Sequence, residues 1–325
     1  MLNAKAAAYA RPTTQVALNE FAEAVLEGLS ANTKSLPARF FYDANGSALF
    51  EEITKLPEYY PTRTETAILS THARDMVADI PDDSVLIEFG SGSSRKTEIL
   101  LATLPRLRAY IPIDVSIDAL EVAKRRLVTG FPGLDIRPIH GDFSGPIEIP
   151  ADLRSYARTG FFPGSTIGNL LPSEAARLLS EMRAALSTDG RLIIGVDLKK
   201  DPHTLVLAYN DTAGVTAQFN LNMLARINRE IEPAFNLHNF RHEAVYNAGE
   251  GRIEMHLVSL KAQSVALLGQ RFYFQAGESI HTENSYKYAI DEFQTLCKSA
   301  GWQSKRIWTD PEKLFSVHEL VVANR

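Results

Sequence analysis

Between residues 84 and 200, short apolar runs alternate with stretches whose apolar residues recur every three or four positions. The runs at 84–89, 110–115 and 134–139, a fourth ending at 160–170, and a fifth at 191–198 have the length and unbroken apolar character of strands covered on both faces. Helical spacing marks 96–104 (Ile99, Leu100, Leu101, Leu104), 117–129 (Leu120, Ala123, Leu127) and 173–186. This alternation predicts a parallel sheet with helices packed on it. Before it lie an amphipathic helix over 16–30, a turn at Asn45-Gly46, a short helix over 47–54, a stiff non-helical segment around Tyr59-Tyr60-Pro61, and a helix over 64–79. After residue 200 the pattern changes. Residues 205–224 read as one amide-rich helix, and 241–247, 252–260, 264–268 and 271–274 alternate as strands, with a glycine turn at 248–251. A helix over 290–300 and strands over 302–309 and 315–323 close the chain. The predicted fold class is α/β: a Rossmann-like seven-stranded core of 61–200 plus 287–325, with a second, smaller α+β lobe of 1–60 plus 201–286.

The junction after the first predicted strand carries the first candidate chemistry. Val85-Leu86-Ile87 runs into Glu88 and then into Gly90, Ser91, Gly92, Ser93 and Ser94 before the helix. Glycines at a strand-to-helix turn let a ligand approach the backbone, although glycine is also the ordinary residue wherever φ is positive. The third glycine of the dinucleotide fingerprint is absent, which weighs against a pyrophosphate ligand. The stretch resembles the E/D-x-G-x-G loop of S-adenosylmethionine (SAM)-dependent methyltransferases, and so implies a class I methyltransferase core. Asp114 ends the second predicted strand, where an acid accepts hydrogen bonds from ribose hydroxyls. Asp142-Phe143 follows the third strand, where an acid and a ring could hold an adenine, although a loop aspartate also caps turns. Asn169, at the polar tip of the fourth strand, offers both a donor and an acceptor to a zwitterion.

Composition narrows the classes. The chain has 325 residues, 45% of them hydrophobic, ample for a large core, and a net charge of −5 that gives no bulk attraction to nucleic acid or anionic lipid. A lone cysteine, Cys297, excludes an intramolecular disulfide and fits a reducing compartment. Without a signal-peptide pattern or an apolar run of membrane-spanning length, a cytoplasmic protein is expected, acting as a monomer.

Longer strings carry a more specific resemblance. K-S-L-P at 34–37, F-Y-D at 41–43, L-P-E-Y-Y-P-T-R-T-E at 56–65, G-S-T-I-G-N at 164–169, G-V-T-A at 214–217 and R-I-E-M at 252–255 resemble the histidine-specific SAM-dependent methyltransferases of ergothioneine biosynthesis (the EgtD family) from about residue 34 to the end. The resemblance implies threefold methylation of the L-histidine α-amine to the betaine hercynine, with SAM as donor and no metal. It also implies roles. Asn169 and Tyr209 would hold the substrate carboxylate, Glu283 and Ser285 the imidazole, Met255 would shape the ring slot, and Tyr42 and Tyr59 would lie at the amine. Gly90 and Lys96 would hold the methionine end of SAM, Asp114 its ribose, and Asp142 with Phe143 its adenine. Asn284 departs from the valine expected between Glu283 and Ser285, and strand alternation should turn it away from Glu283. Three rivals stand beside this assignment: the same fold methylating another amino acid such as tryptophan, a non-catalytic SAM sensor, and a NAD(P) oxidoreductase, the last disfavoured by the missing glycine.

Overall fold

A computed structural model describes residues 14–104, 106–141, 145, 147–186 and 189–323, with side-chain surroundings from residue 20 onward. In chain order the elements are α1 (Thr14–Ser30), α2 (Ala44–Ile53), α3 (Tyr60–Val77), β1 (Val85–Phe89), α4 (Arg95–Leu101), β2 (Ala109–Asp114) and α5 (Ile117–Gly130). There follow β3 (Ile139–His140), β4 (Arg158–Phe162), α6 (Pro172–Leu186), β5 (Arg191–Asp197), α7 (Pro202–Tyr209), α8 (Val215–Glu230), β6 (Phe240–Asn247) and β7 (Arg252–Ser259). The last are β8 (Gln263–Leu267), β9 (Gln270–Phe274), β10 (Ser279–Tyr286), α9 (Ile290–Ser299), β11 (Trp302–Thr309) and β12 (Phe315–Val322).

Seven strands form one sheet in the order β11-β12-β5-β4-β1-β2-β3. Strands β1 to β5 run parallel, and β12 enters antiparallel between β5 and β11. This is the Rossmann-like, seven-stranded α/β architecture that the sequence predicts, with its last two strands as an antiparallel hairpin. Alternation along β1 explains how both faces are filled: Val85, Ile87 and Phe89 join the core under α6 and α9, while Leu86 points into the core under α3, α4 and α5. The chain order reverses between β1 and β4, so the crevice beyond their carboxyl ends is where this architecture receives a ligand.

A third core binds the remaining elements. Leu29 of α1, Phe41, Phe219 and Met223 of α8, and Ile253 and Leu257 of β7 are buried together there. The antiparallel sheet β10-β7-β6 and the hairpin β8-β9 flank that core. Residues 34–36 are tied into the far edge of β10: Leu36 N donates to His281 O at 2.8 Å and His281 N to Lys34 O at 2.8 Å. Gly28 lets this segment approach, since a Cβ there would stand 1.9 Å from Ser35 O. No helix among the described residues is long and apolar enough to cross a membrane.

Several elements differ from the sequence expectation. The third strand shrinks to Ile139–His140 plus a single bridge at Ile136, because Pro138 has no N–H to give and β3 lies at the sheet edge. The tip of the fourth strand is a 3₁₀ turn over Thr166–Asn169 rather than extended chain. The single helix expected over 205–224 is broken into α7 and α8, where the Asp211 carboxylate accepts from Val215 N (2.9 Å) and Thr216 N (2.8 Å) and Gly214 turns at φ +73°. Asn45-Gly46 is not a turn but the first turn of α2, capped by Asp43, which accepts from Gly46 N at 2.6 Å. Tyr60-Pro61, expected to be non-helical, starts α3, since proline in the first turn lacks only an N–H that would have no helical partner.

Candidate active site

The loop after β1 builds one wall of the crevice. The chain turns at Gly90 (φ +69°) and Gly92 (φ +48°), conformations that glycine adopts without strain. Gly90 N and Ser91 N both donate to Ile113 O, at 2.9 and 3.0 Å, which folds the loop over the end of β2. Asp114 at that end accepts from Gly92 N at 2.7 Å and Ser116 N at 2.8 Å. Burial raises the Asp114 carboxyl, and these N–H groups pull it back. A Cβ on Gly92 would meet nothing within 4 Å, so the loop is open on its outer side. The residues present therefore fit a ligand held by loop backbone and by an acid one strand away.

Lys96, at the start of α4, pairs with Glu65 of α3 at 2.5 Å. Glu65 is fully buried and also accepts from Gly164 N at 3.0 and 2.9 Å, tying α3 to the tip of β4. Gly195 makes room for it, because a Cβ there would stand 2.0 Å from Glu65 Oε1. Glu88 faces inward, where burial pushes it up to about 7 and Tyr110 donates to it. Glu88 thus holds the sheet rather than a ligand. Asp142 and Phe143 lie outside the described residues.

The opposite wall is made of side chains from distant segments. In the β10–β7 ladder Glu283 stands opposite Met255 and Ser285 opposite Ile253, with a register shift between His281 and Glu283. The shift turns Thr282 and Glu283 inward in succession: both are buried, Thr282 Oγ1 donating to Asn220 Oδ1 (2.8 Å) and to Met255 O (3.0 Å). Burial pushes Glu283 up to about 7, with the nearby Lys287 ammonium pulling the other way. Tyr209, ending α7, lies with its hydroxyl 2.7 Å from Ser285 Oγ. Lys287 Nζ donates to Tyr209 Oη at 2.9 Å and Ser285 Oγ at 2.8 Å, and pairs with Asp197 Oδ2 at 2.7 Å. On its other oxygen Asp197 pairs with Lys200 at 2.6 Å, and the Tyr60 hydroxyl donates to the same carboxylate at 2.8 Å. Burial alone would raise Asp197, but the two ammonium groups hold it below the usual carboxylate range.

Aromatic rings complete this wall. Tyr59 meets Tyr209 edge to face at 6.3 Å between ring centres, Phe50 meets Tyr59 at 6.2 Å, and Tyr42 meets Phe50 at 5.7 Å and Phe219 at 5.9 Å. Burial, with Glu283 nearby, pushes the Tyr42, Tyr59 and Tyr209 phenols well above their ordinary value, so all three stay neutral donors and acceptors. Asn169 ends the 3₁₀ turn packed against β10, where a Cβ on Gly168 would stand 2.7 Å from Tyr286 O.

The family model described as "Histidine-specific methyltransferase, SAM-dependent" matches residues 21–322. The chain belongs to this family. It is 44% identical over 293 residues to the Histidine N-alpha-methyltransferase of Mycolicibacterium smegmatis, covering 88% of this chain and 90% of that one. Ergothioneine biosynthesis protein 1 of Neurospora crassa is 32% identical over 288 residues, covering 85% of this chain and 32% of the larger protein. The 4-dimethylallyltryptophan N-methyltransferase of Aspergillus fumigatus is 29% identical over 306 residues, with 89% of each chain covered.

Within this methyltransferase, Tyr42, Tyr59, Tyr209, Met255, Glu283 and Ser285 are brought together around β10, and Gly90, Lys96 and Asp114 line the loop after β1. Tyr209 and Ser285, expected at opposite ends of a substrate, bond directly to each other. Asn284 turns aside, its Oδ1 meeting His281 Nε2 at 2.9 Å. Lys287, Asp197, Lys200, Glu65, Phe50 and Phe219 were missed by sequence reasoning, while Tyr60 was noted only as part of the tyrosine-proline segment. A signal existed for two of them. Lys287 follows Ser285 by two residues and so shares its face, and Asp197 ends an otherwise apolar strand at the crevice.

Proposed function

We propose that this chain transfers methyl groups from SAM to the α-amine of L-histidine, three in succession, giving hercynine, the betaine made on the route to ergothioneine. The observation that carries this is Glu283. A buried carboxylate set among neutral phenols, with Ser285 and Met255 beside it, is an expensive feature that an imidazole justifies and a plain apolar side chain does not. In this proposal the substrate lies between two lobes, 61–200 plus 287–325 and 1–60 plus 201–286. Its carboxylate meets Asn169 and Tyr209, and its ring meets Glu283, Ser285 and Met255.

SAM supplies an electrophilic methyl group when bound. Gly90, Lys96 and Asp114 would hold it, together with Asp142 and Phe143. The remaining work belongs to the substrate wall. The reacting amine must present a lone pair in line with the methyl, and placing it there is catalysis by proximity and orientation. Tyr42 and Tyr59 stay protonated, so they orient the amine through their hydroxyl oxygens and do not act as phenolate bases. Burial beside neutral phenols disfavours the ammonium form, and its protons leave to water. Action as a monomer belongs to the same proposal, and the lone, buried Cys297 fits a cytoplasmic setting.

Mass spectrometry of the purified protein with SAM and each standard amino acid tests this. Gains of one, two and three methyl groups on histidine alone are expected. Methylation of tryptophan instead would remove the Glu283 argument, and SAM binding without any transfer would leave a sensor.

A further inference from the structure

Lys287 is fully buried at the back of the substrate wall, and its three donors meet three oxygens: Tyr209 Oη at 2.9 Å, Ser285 Oγ at 2.8 Å and Asp197 Oδ2 at 2.7 Å. An ammonium cannot accept, so both hydroxyl oxygens must accept from it. The two hydroxyls also lie 2.7 Å apart, so one of their two hydrogens bridges the pair and a single hydrogen remains for a ligand. We propose that Lys287 is a positioning residue that holds the Tyr209 and Ser285 hydroxyls together as a hydrogen-bonded pair whose direction the substrate carboxylate then sets, so that the pocket takes the substrate ring with both ring nitrogens protonated.

The inference rests on the proposed function, in which Tyr209 meets the substrate carboxylate. A carboxylate only accepts, so the one free hydrogen must belong to Tyr209. Ser285 then spends its own hydrogen on Tyr209 and shows the ring only a lone pair. The ring nitrogen facing Ser285 must therefore carry hydrogen. An ionised Glu283 also accepts only, so the second ring nitrogen carries hydrogen as well, and the ring is an imidazolium. If the proton rests on Glu283 the count is the same: ring and Glu283 together hold one proton more than a neutral ring with a carboxylate.

The charges around Glu283 agree. Tyr42, Tyr59 and Tyr209 face it as neutral phenols from three segments, Met255 faces it across the ladder, and Lys287 lies along its own strand. Behind Lys287, Asp197 is shared with Lys200, whose ammonium burial lowers to about 8, so near pH 8.5 Lys287 and Asp197 largely balance each other. Glu283 is then without a full counter-charge of its own, which an imidazolium would supply.

Calorimetry with the full chain, S-adenosylhomocysteine and hercynine tests this, because the trimethylammonium of hercynine has no proton to lose. Titrations in buffers of different ionisation enthalpy at about pH 8.5, where a free imidazole is neutral, read the protons taken up on binding. Uptake close to one proton is expected. Uptake near zero overturns the inference. Lys287→Met combined with Asp197→Asn removes the Asp197 charge together with its lysine but takes from Glu283 its nearby ammonium, so uptake is read above the pH at which Glu283 ionises in that ligand-free variant; with Ser285 then free to donate, it should fall below half a proton. Unchanged uptake there would assign the proton to Glu283 alone and overturn the role of Lys287. A chain that methylates no histidine and binds no hercynine fails at the functional proposal itself, a result distinct from tight binding without uptake.

Discussion

The loop after β1 and the cluster around β10 face one crevice but are made of different material. The loop presents backbone: two glycines at positive φ, N–H groups turned onto Ile113 O and Asp114, and few side chains. The β10 wall presents side chains: Glu283, Ser285 and Lys287 from one strand and its continuation, with Tyr209, Asp197 and Tyr59 brought to them from elsewhere. A backbone cradle suits a ligand that never changes, because its shape survives most substitutions. A side-chain wall can be retuned residue by residue, and this is where relatives with different substrates have room to differ.

This contrast breaks first at Glu283. Glu283→Ala should lower kcat/KM for histidine about 100-fold or more, since the ring loses its charged partner. Binding of S-adenosylhomocysteine should stay within about twofold. Equal losses on both ligands, measured by steady-state kinetics and calorimetry, would show that the two walls do not act separately. Asp114→Ala should do the reverse, weakening S-adenosylhomocysteine about 10- to 100-fold through loss of charged hydrogen bonds to ligand and loop. Asn169→Ala should raise KM for histidine about tenfold, with kcat little changed, the mark of a group that binds ground state and transition state alike.

Stability gives a smaller effect with a definite sign. Glu283 titrates near 4.5 when unfolded and at about 7 when folded. Below the lower value both states are protonated and the group is neutral to stability. As pH rises through this window the unfolded chain ionises first, so the ligand-free fold loses up to about 3 kcal/mol relative to acid conditions. Glu283→Gln should therefore melt higher than the parent at pH 8 without ligand, and equally near pH 4. A parent melting higher at pH 8 would contradict the buried carboxylate. Smallest of all, Asn284→Val removes one partly exposed hydrogen bond to His281 and should change stability by about 1 kcal/mol or less, with histidine turnover within about twofold.

The same contrast decides what could be read from the sequence. Gly90, Gly92 and Asp114 lie within one strand-loop-helix-strand unit, so their spacing alone pointed to a nucleotide-type ligand. Nothing in local spacing joins Tyr42, Tyr59, Tyr209 and Glu283, and only the family resemblance collected them. Lys287 and Asp197 escaped because a lone lysine or aspartate at a strand end usually faces solvent, and their burial depends on each other across 90 residues of chain. The fold was legible through hydrophobic period. It failed where one side chain or one proline overrode the period: Asp211 splitting α7 from α8, Pro138 shortening β3, and Pro61 opening α3.

The link between residues 34–36 and His281 bears on how the molecule assembles. Those hydrogen bonds close the edge of β10 with a segment made well before it, and the whole seven-stranded sheet except its last hairpin is translated in between. A ribosome therefore releases the early helices long before their partner strand exists, and the apolar faces around Leu29 and Phe41 must wait for it. Joining ends so far apart is slow relative to local pairing. The β10 edge thus closes late, and even then α9, β11 and β12 are still to be made, with β12 yet to enter the core sheet beside β5.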